Sequence, residues 1–419
     1  MLYSEDNSFA SIESLPDGWD LVNISDVAEV VYGKANPKTE GPYPLIGSGG
    51  IFGWVEEPLI DSSTIVIGRK GSAGSAYYIE DPCYPSDTTF FLEWKDKDRL
   101  EPIFLYYWLL LYPLSGQDAK TTLPSLRKPD LEEYSFPLPP LPEQRAIVQV
   151  LSTVRRAIEA TDAVIAAARE LKRSLLEYLF TYGPVPVDEA EKVHHQDLDE
   201  YVIPGHWRSE ELGKIATAKG GTSFPNEYQG QQAGKYPFYK VSDMNLSGNE
   251  IFMTRANNWI DDETVDELNG RVFPAGTVIF PKVGGAVHTE KKRVLTRDSL
   301  VDNNVMAVTV QTDSLDPGYL FNWFRRIKIA SFSNPGPLPS ITQSAVETGK
   351  LPVPPSEEQK MIKSLITAVD RKIAAETSSR SSLGALYTTL LHELMTGRMR
   401  MLAIFDNCSG WPMQETNAK

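Results

Sequence analysis

Two long stretches of the chain repeat apolar residues at spacings of three and four. The first begins at "PPLPEQRAIVQVL" (139–151) and the second at "PPSEEQKMIKSLI" (354–366). This heptad pattern is typical of a long helix that packs one face against a partner helix. Helices that pack against their own domain also show it, but two equal helices in one chain favour pairing with each other. The residues predicted to pair the helices are Ile147, Leu151, Val154, Ile158, Leu175, Leu179, Ile362, Ile366, Val369, Ile373, Leu390 and Leu394.

The ends of both helices are marked in the sequence. Pro142 suits a first helical turn, and Glu143 complements the positive end of the helix dipole. The residues "TYGP" (181–184) are expected to end the first helix, and Gly397 is expected to end the second. Each helix therefore has about 40 residues and a length on the order of 60 Å at 1.5 Å per residue. We expect the two helices to form an antiparallel coiled coil with one globule at each end, because an internal two-fold pseudosymmetry relates them.

The rest of the chain also contains an internal repeat. Residues 14–37 match residues 202–225 at an offset of 188, and Trp108 matches Trp323 at an offset of 215. The offset then stays constant to the ends of the two helices. The second copy has therefore gained its insertions earlier, mostly between about 244 and 276. A constant length is expected where two helices must stay in register.

The segments before the two helices mix β-branched runs, Gly turns and short helical pieces, as in "STIVI" (63–67). This mixture is typical of an α+β globule. The predicted fold is two tandem repeats, each an α+β globule followed by a long helix. The expected boundaries are 1–141 for the first globule, 142–182 for its helix, 183–202 for a linker, 203–355 for the second globule, 356–397 for its helix and 398–419 for a tail.

Composition places the 419-residue chain among globular proteins, with 41% hydrophobic and 23% charged residues. The longest apolar stretch, "IFLYYWLLLYPL" (103–114), is too short to cross a bilayer. The first residues are acidic and polar, unlike a secretory signal. Cys83 and Cys408 have no CxxC partner, so neither a disulfide framework nor a structural zinc site is supported. We expect a cytoplasmic protein with no membrane association.

The net charge of −15 and a pI near 4.9 argue against a protein that coats nucleic acid. Phosphate contacts need only a local basic surface, however, and basic residues recur in Gly-rich turns of both copies. Such turns let the backbone approach a phosphate, and Arg can contact guanine with two hydrogen bonds. Ordinary solvated charges are the alternative interpretation. The candidate DNA-binding residues are Lys34, Arg69, Lys70, Ser72, Arg127, Lys128, Lys282, His288, Lys291, Lys292 and Arg293.

The doubled motifs resemble a known family. "PLPPLPEQ" (137–144) and "PVPPSEEQ" (352–359) each precede a helix, and those helices end in "LLEYLFT" (175–181) and "LLHELMT" (390–396). This arrangement resembles the specificity subunit of type I restriction–modification systems. The resemblance covers the chain from about 14 to 401. The doubled arrangement is much more specific than any one of these motifs alone.

The resemblance implies a function for each part of the chain. Each globule would be a target recognition domain that reads one half of a bipartite, asymmetric sequence in double-stranded DNA. The helices would fix the spacer and dock two methyltransferase subunits, which bring S-adenosylmethionine. Restriction subunits would join the full complex. The chain itself would be non-catalytic and would bind no cofactor.

Short motifs that could indicate an enzyme fail in context. "DPCY" (81–84) resembles the Asp-Pro-Pro-Tyr motif of DNA amino-methyltransferases, but Cys83 replaces a proline and no parallel βαβ series surrounds the motif. Asp87 followed by "EWK" (93–95) weakly resembles the acidic and lysine set of metal-dependent nucleases. The second copy has "VTV" (308–310) at that place. We therefore expect no catalytic residue.

Two further interpretations compete with DNA recognition. His194 and His195 with Asp197 and Asp199 could bind a metal, but a solvated linker explains them better. An acidic protein–protein scaffold or DNA mimic with the same architecture would suit the net charge of −15. Against the mimic, the carboxylates are not arranged in long runs, and the basic turns lie at equivalent places in both copies.

Overall fold

Two long helices and two sets of short strands make up most of the chain. The computed structural model describes residues 15–96, 98–114, 125–198, 201–334, 336 and 338–401. By its internal contacts the chain divides into a first unit, Met1–Asp162 with Ser378–Lys419, and a second unit, Ala163–Thr377. Each unit contains one globule and a part of each long helix.

The elements of the first globule are short, and most of them are strands. They are β1 (Asp20–Asn23), α1 (Ile24–Val27), β2 (Ala28–Tyr32), β3 (Tyr43–Gly47), β4 (Gly50–Val55), β5 (Thr64–Gly68), β6 (Ala76–Ile79), β7 (Tyr84–Pro85), β8 (Thr89–Trp94), α2 (Pro102–Leu111), α3 (Lys128–Glu132) and β9 (Ser135–Leu138). The strands form a sheet of order β2-β8-β5-β6, a sheet of order β4-β3-β7 and the pair β1-β9. Strand β5 is buried along its whole length, as its β-branched run predicts.

The first long helix and the second repeat follow. They comprise α4 (Leu141–Tyr182), β10 (His195–Leu198), β11 (Tyr201–Pro204), β12 (Arg208–Glu211), α5 (Leu212–Ile215), β13 (Ala216–Gly220), β14 (Tyr236–Tyr239), β15 (Phe252–Met253), β16 (Trp259–Ile260), α6 (Asp262–Glu267), β17 (Val278–Pro281), β18 (Arg293–Leu295), β19 (Leu300–Val301), β20 (Val305–Val310), α7 (Pro317–Arg326), α8 (Gln343–Glu347), β21 (Lys350–Val353) and α9 (Ser356–Met395). The strands form sheets of order β13-β20-β17-β18-β15 and β16-β14-β19 and the pairs β10-β11 and β12-β21. Short 3-10 helices span Val187–Lys192, Asn226–Tyr228, Val241–Asn245, Gly284–Thr289 and Ile329–Phe332.

The two globules repeat the same backbone pairing. Strand β8 lies between β2 and β5 in the first globule, and β20 lies between β13 and β17 in the second. At the end of β2, the Gly33 amide donates to the Thr89 carbonyl at 3.1 Å. The Gly221 amide donates to the Val305 carbonyl at the same distance in the second globule. The predicted fold of two tandem α+β repeats is confirmed.

The long helices run antiparallel in both units. In the first unit, Ile147 and Leu151 of α4 share an apolar core with Leu394 of α9. Further along the same pair, Asp162 of α4 accepts a hydrogen bond from Arg380 of α9 at 3.2 Å. Residue numbers therefore rise along α4 while those of the α9 partners fall.

The second unit shows the same direction. Lys172 of α4 donates to Asp370 of α9 at 3.3 Å. Beyond this pair, Leu179 of α4 shares a core with Ile362 and Ile366 of α9. The predicted antiparallel coiled coil is confirmed.

Toward the end of each long helix, a residue next to the predicted stripe is also buried. Leu176 and Leu391 are buried, whereas their predicted neighbours Leu175 and Leu390 are half-buried. A straight helix drifts by about 20° per heptad relative to a strict seven-residue repeat. Over the four heptads from Ile147 to Leu175 the drift is close to the angle between successive residues, which brings the next residue toward the face on which Ile147 lies. Of the predicted pairing residues, those fully buried are Ile147, Leu151, Leu179, Ile362, Ile366 and Leu394, and those half-buried are Val154, Ile158, Leu175, Val369, Ile373 and Leu390.

Candidate nucleic-acid interface

A glutamate at the start of each long helix ties that helix to its globule. Glu143 is fully buried and accepts a hydrogen bond from the Trp19 indole at 3.0 Å. In the second copy the Trp207 indole donates to Glu358 at 2.8 Å. The glutamate of the repeated Glu-Gln motif therefore anchors the helix to the first strand region of its own repeat.

The following glutamine makes a second tie. The Gln144 side-chain amide donates to the Arg99 carbonyl at 2.9 Å, and its side-chain oxygen accepts from the Glu101 amide at 2.8 Å. Gln359 makes the equivalent two contacts in the second copy. Both glutamines thus fix the start of a globule helix, α2 or α7, against the start of a long helix.

The two glutamates differ in their remaining partners. Arg400 donates to Glu143 at 2.8 and 3.0 Å, and the Met401 amide donates at 3.2 Å. Burial alone would raise the pKa of Glu143, but hydrogen bonds from Arg400, Trp19 and Met401 outweigh it and hold the pKa below its ordinary value. In the second copy, His206 faces Glu358 at 2.8 Å.

The first candidate DNA-binding turn connects β5 to β6. The Gly68 amide donates to the Ser75 carbonyl, and the Gly74 amide donates to the Gly68 carbonyl, both at 2.8 Å. Gly71 and Gly74 have φ of 78° and 83°, a left-handed conformation that favours glycine. The glycines therefore set a tight turn whose tip carries Lys70 and Ser72, both exposed.

Residues Ser86–Thr88 bring separate candidate segments together. The amides of Arg69 and Lys70 donate to the Thr88 carbonyl at 2.8 and 3.3 Å. The Ser48 amide donates to the Thr88 hydroxyl at 3.4 Å. Lys34 forms a β-bridge with Ser86 on the other side. Lys34, Arg69 and Lys70, which are far apart in the sequence, therefore surround one short segment.

Arg69 differs from its neighbours because its side chain is partly enclosed. Its guanidinium donates to the Asp87 carbonyl at 2.6 Å and lies 5.3 Å from the centre of the Tyr32 ring. Lys34 and Lys70 are exposed. A cation held on an aromatic face keeps its charge with little freedom of movement, so Arg69 fixes one positive position on this surface.

Arg127 and Lys128 lie next to the same turn. The Leu126 amide donates to the Arg69 carbonyl at 2.9 Å, which attaches this segment to the turn. Arg127 makes two hydrogen bonds to Asp130, at 2.8 and 2.7 Å, and these lower the pKa of the Asp130 carboxyl. Lys128 lies 3.5 Å from Glu132. Both cations are therefore engaged with carboxylates of α3.

Lys282 occupies the position of Arg69 in the second globule. Its amide donates to the Asn304 carbonyl at 2.9 Å, and its carbonyl accepts from the Ile341 amide at 2.8 Å. The turn that follows differs from that of the first globule, because residues Gly284–Thr289 form a 3-10 helix with exposed His288 near its end. Equivalent backbone positions thus present different side chains.

The basic run after this helix is largely internal. Lys292 is 8% exposed, and its ammonium donates to Glu290 at 2.6 Å and to the Ile327 carbonyl at 3.0 Å. Burial lowers the pKa of Lys292, although Glu290 opposes this shift. The half-buried Arg293 donates to the carbonyls of Lys292 and Met244. The sequence predicts a DNA contact for Lys292 and Arg293. In the structure, both side chains instead donate to groups of the protein itself and stabilise the loop. Lys291 lies nearer the surface and donates to Asn245.

An exposed apolar pair beside the first turn was not among the predicted site residues. Ile51 and Phe52 of β4 are 56% and 58% exposed, and Trp54 is 55% exposed. The signal in the sequence is the broken alternation of "GIFGWV", in which two large apolar residues stand next to each other.

The enzyme-like motifs do not form a catalytic arrangement among the described residues. Cys83 of "DPCY" is fully buried, and burial raises the pKa of its thiol to about 12. Lys95 of "EWK" donates to the Ser25 carbonyl at 2.6 Å. Within the described ranges, no group of three His, Cys, Asp or Glu side chains could hold a metal ion; Asp199 of the histidine cluster lies outside those ranges. No described helix is both long and apolar enough to span a bilayer.

The fold is thus a tandem repeat of α+β globules. Each globule is anchored to one helix of an antiparallel coiled coil, and each has a basic turn at the same place. The chain belongs to the type I restriction modification DNA specificity domain family. The model of this family matches residues 16–167 and 204–383, one region in each repeat.

Similar proteins extend over nearly the whole chain. The type I restriction enzyme MjaVIII specificity subunit of Methanocaldococcus jannaschii is 22% identical and covers 95% of this chain and 97% of its own length. The EcoDI specificity subunit of Escherichia coli is 20% identical over 83% of this chain and 80% of its own length.

A solved structure has the same fold. The S subunit of a type I restriction–modification system from M. genitalium covers 91% of this chain and 97% of its own length, with 18% identity and a TM-score of 0.60. A second structure, described as the basis of complex assembly and conformational transition of the type I system, covers 92% of this chain and all of its own, with 17% identity and a TM-score of 0.53.

Proposed function

We propose that this chain recognises a bipartite, asymmetric sequence in double-stranded DNA, with one half read by each globule. The observation that supports this proposal is the pair of basic turns at equivalent positions, Arg69–Ser72 in the first globule and Lys282–His288 in the second. Equivalent backbone with different side chains suits two similar surfaces that read different bases. Half-site spacing would then be set by the protein's own geometry.

The chain would act as a scaffold for chemistry performed by other subunits. We assign methyl transfer from S-adenosylmethionine to two methyltransferase subunits, and translocation and cleavage to restriction subunits. The described residues that resemble catalytic motifs support this division, because Cys83 is buried and Lys95 is engaged with a backbone carbonyl.

An apolar groove in the second unit is our candidate for one methyltransferase contact. The groove has a volume of about 520 Å³, and its rim includes Leu171 and Leu365, which are 56% and 44% exposed. An apolar side chain of a partner would fill this groove and remove Leu171 and Leu365 from water. We expect Leu365→Lys to reduce copurification of the methyltransferase subunit, while Leu21→Lys, at a site 55% exposed in the first globule, leaves it unchanged. Equal copurification of the methyltransferase subunit with both variants would contradict this assignment and indicate a docking site elsewhere.

Methylation sequencing tests the whole proposal. A plasmid is propagated in cells that express this chain together with its methyltransferase partner, and in control cells that express the methyltransferase alone. The proposal predicts methylated adenines in one asymmetric two-part motif with a fixed gap, and only in the presence of this chain. Methylation at continuous sites, or none despite a stable complex, would instead favour the acidic scaffold or DNA mimic.

A further inference from the structure

The first globule exposes two adjacent apolar side chains at the tip of a hairpin. Strands β3 and β4 pair with a register shift between Leu45 and Ile46. The shift leaves Phe52 as an extra residue between Ile51 and Gly53, and such bulges redirect a side chain. Ile51 and Phe52 are more than half exposed. Their exposure is therefore built into the strand pairing and does not depend on a loose loop.

The Phe52 ring is seated at a fixed position. A Cβ atom added to Gly47 would lie 2.9 Å from this ring and 3.6 Å from the Thr88 hydroxyl, so Gly47 separates the two groups. Thr88 also accepts the amides of Arg69 and Lys70 through its carbonyl. The apolar tip thus lies beside the residues that present the cations of the first turn.

A surface that combines cations with exposed apolar side chains suits a polyanionic ligand that also carries an apolar group. A cationic surround attracts phosphate, and phosphate contacts position a protein on DNA without reading its sequence. Apolar side chains make no hydrogen bonds to base edges. The apolar group on the base edges of the major groove is the 5-methyl group of thymine. Ile51 and Phe52 have the chemistry to contact this group.

The second globule has a different structure at this place. Its equivalent strands, β14 and β16, are connected by a longer segment in which Asp243 and Asn249 are buried. The Asn249 side-chain amide donates to the carbonyls of Asp243 and Arg255, at 2.8 and 2.7 Å. The insertion predicted from the sequence includes part of this connection. The adjacent apolar pair at the hairpin tip is therefore a feature of the first globule, whereas the corresponding segment of the second globule carries one exposed apolar residue, Phe252, in β15.

We infer that Ile51 and Phe52 are specificity-determining residues, which recognise a thymine methyl group in the half-site bound by the first globule. This inference rests on the proposed function and adds a residue pair and a base to it.

The test removes the methyl group from the DNA and the side chains from the protein in turn. Once the motif is known from methylation sequencing, each thymine of both half-sites is replaced singly by deoxyuridine, which keeps the hydrogen bonds and lacks the methyl group. We expect one replacement to weaken binding of the complex with the methyltransferase by about fourfold, as for one buried methyl-sized group. In the Ile51→Ala/Phe52→Ala variant, the same replacement should have no effect.

Matched variants separate this role from a structural one. Leu21→Ala, which removes an equally exposed apolar side chain of the same globule, and Phe52→Leu, which keeps an apolar tip, should both retain the fourfold sensitivity. Replacements in the other half-site should affect all variants equally. If the double variant folds poorly, the single Ile51→Ala and Phe52→Ala variants serve instead.

Other outcomes have distinct meanings. A two-part motif in which no deoxyuridine replacement weakens binding, or one whose sensitivity survives in the double variant, would overturn this inference and leave the proposed function intact. Absence of any two-part motif would instead count against the proposed function. Loss of the methyltransferase from the complex with unchanged base preference would make the tip a protein interface and would also overturn the inference.

Discussion

Glu143 has no exposed surface, yet donors from Trp19, Arg400 and Met401 surround its carboxylate. A buried charge is costly unless it is paired and hydrogen-bonded, and here both conditions are met. The second copy uses His206, which is half exposed, where the first uses Arg400. The same anchoring glutamate is therefore held more strongly in the first unit.

Glu143→Gln should destabilise the first unit by about 2–3 kcal/mol at neutral pH, because it leaves Arg400 without its carboxylate partner. Urea denaturation followed by tryptophan fluorescence measures the change. The matched variant Glu358→Gln should lower the free energy of unfolding by less, since water can hydrate the half-exposed His206 side chain. Equal losses in the two variants would contradict the role assigned to Arg400.

The effect of Glu143→Gln should also depend on pH. The pKa of Glu143 is lower in the folded chain than in the unfolded one, where it is about 4.3. The carboxylate therefore contributes stability above the unfolded pKa, and this contribution is lost as the pH falls through the folded pKa. The difference between wild type and variant should be full at pH 7 and should shrink on acidification below about pH 4.

Gly33 offers a second test at the scale of one residue. A Cβ atom at Gly33 would lie 2.0 Å from the Ser86 carbonyl oxygen, so Gly33→Ala must displace the Ser86–Thr88 segment. We expect a loss of about 2–3 kcal/mol in unfolding free energy and weaker DNA binding by the complex. Gly49→Ala is the control, because no atom lies within 4 Å of its added Cβ, and should be nearly neutral.

Among the elements, α4, α7 and α9 meet at Asp370. Arg325 of α7 donates to both carboxylate oxygens of Asp370, at 2.6 and 2.7 Å, and Lys172 of α4 donates at 3.3 Å. Burial lowers the pKa of Lys172, and the nearby Arg325 adds to this shift, while Asp370 opposes it. One carboxylate thus joins the two long helices to the second globule.

Asp370→Asn should destabilise the second unit by about 3 kcal/mol, because it leaves two partly buried cations without their shared carboxylate. The control is Asp162→Asn on the same coiled coil. Its partner Arg380 is about half exposed, and exposed pairs contribute about 0–1 kcal/mol. Comparison of urea midpoints for the two variants measures the difference. A similar, small effect for both would show that burial does not strengthen the Asp370 contacts.

The elements also show which parts of the fold a sequence can predict. The heptad pattern and the internal repeat were enough to predict two long antiparallel helices, because both can be recognised from the spacing of residues along the chain. The burial of Leu176 and Leu391 next to the predicted stripe could have been derived from helix geometry. The two anchoring residues, Glu143 and Gln144, were visible as a motif, but their partners Trp19 and Arg99 lie too far along the chain for spacing to identify them.

The candidate site was harder to predict, because the surroundings of a loop residue depend on segments that are distant in the sequence. The turn at Arg69 and its counterpart at Lys282 were found from Gly and basic residues. Lys292 also lies in a basic segment, and by that criterion it resembles Arg69 and Lys282. Its ammonium is nevertheless buried against Glu290 and donates to the carbonyl of Ile327, a residue from a different segment. Ile51 and Phe52 were not predicted as site residues, because their exposure follows from the register shift between β3 and β4.

For the whole molecule, the net charge of −15 sets a limit on DNA affinity. The described cations of the first turn surround one short segment, but several neighbours, such as Arg127, are engaged with carboxylates. Long-range repulsion between an acidic protein and DNA opposes association, and local cations offset it only in part.

We therefore expect the isolated chain to bind its target duplex at least about tenfold more weakly than the complex with methyltransferase subunits at physiological salt. Fluorescence anisotropy with and without the partner, at two salt concentrations, measures this difference. A scrambled duplex is the control for sequence-independent binding. Equal, tight affinity in both states would show that this chain alone supplies the positive surface.

The division of the chain into units has a consequence for its synthesis. The second unit, Ala163–Thr377, is continuous, whereas the first is completed by residues from Ser378 onward. Arg400 and Met401, which satisfy the buried Glu143, are translated 257 and 258 residues after it. Domains generally fold as units while the chain is being made. The unit that is begun first is thus completed after the continuous one, and a nascent chain stalled before Arg400 leaves the Glu143 carboxylate without its arginine partner.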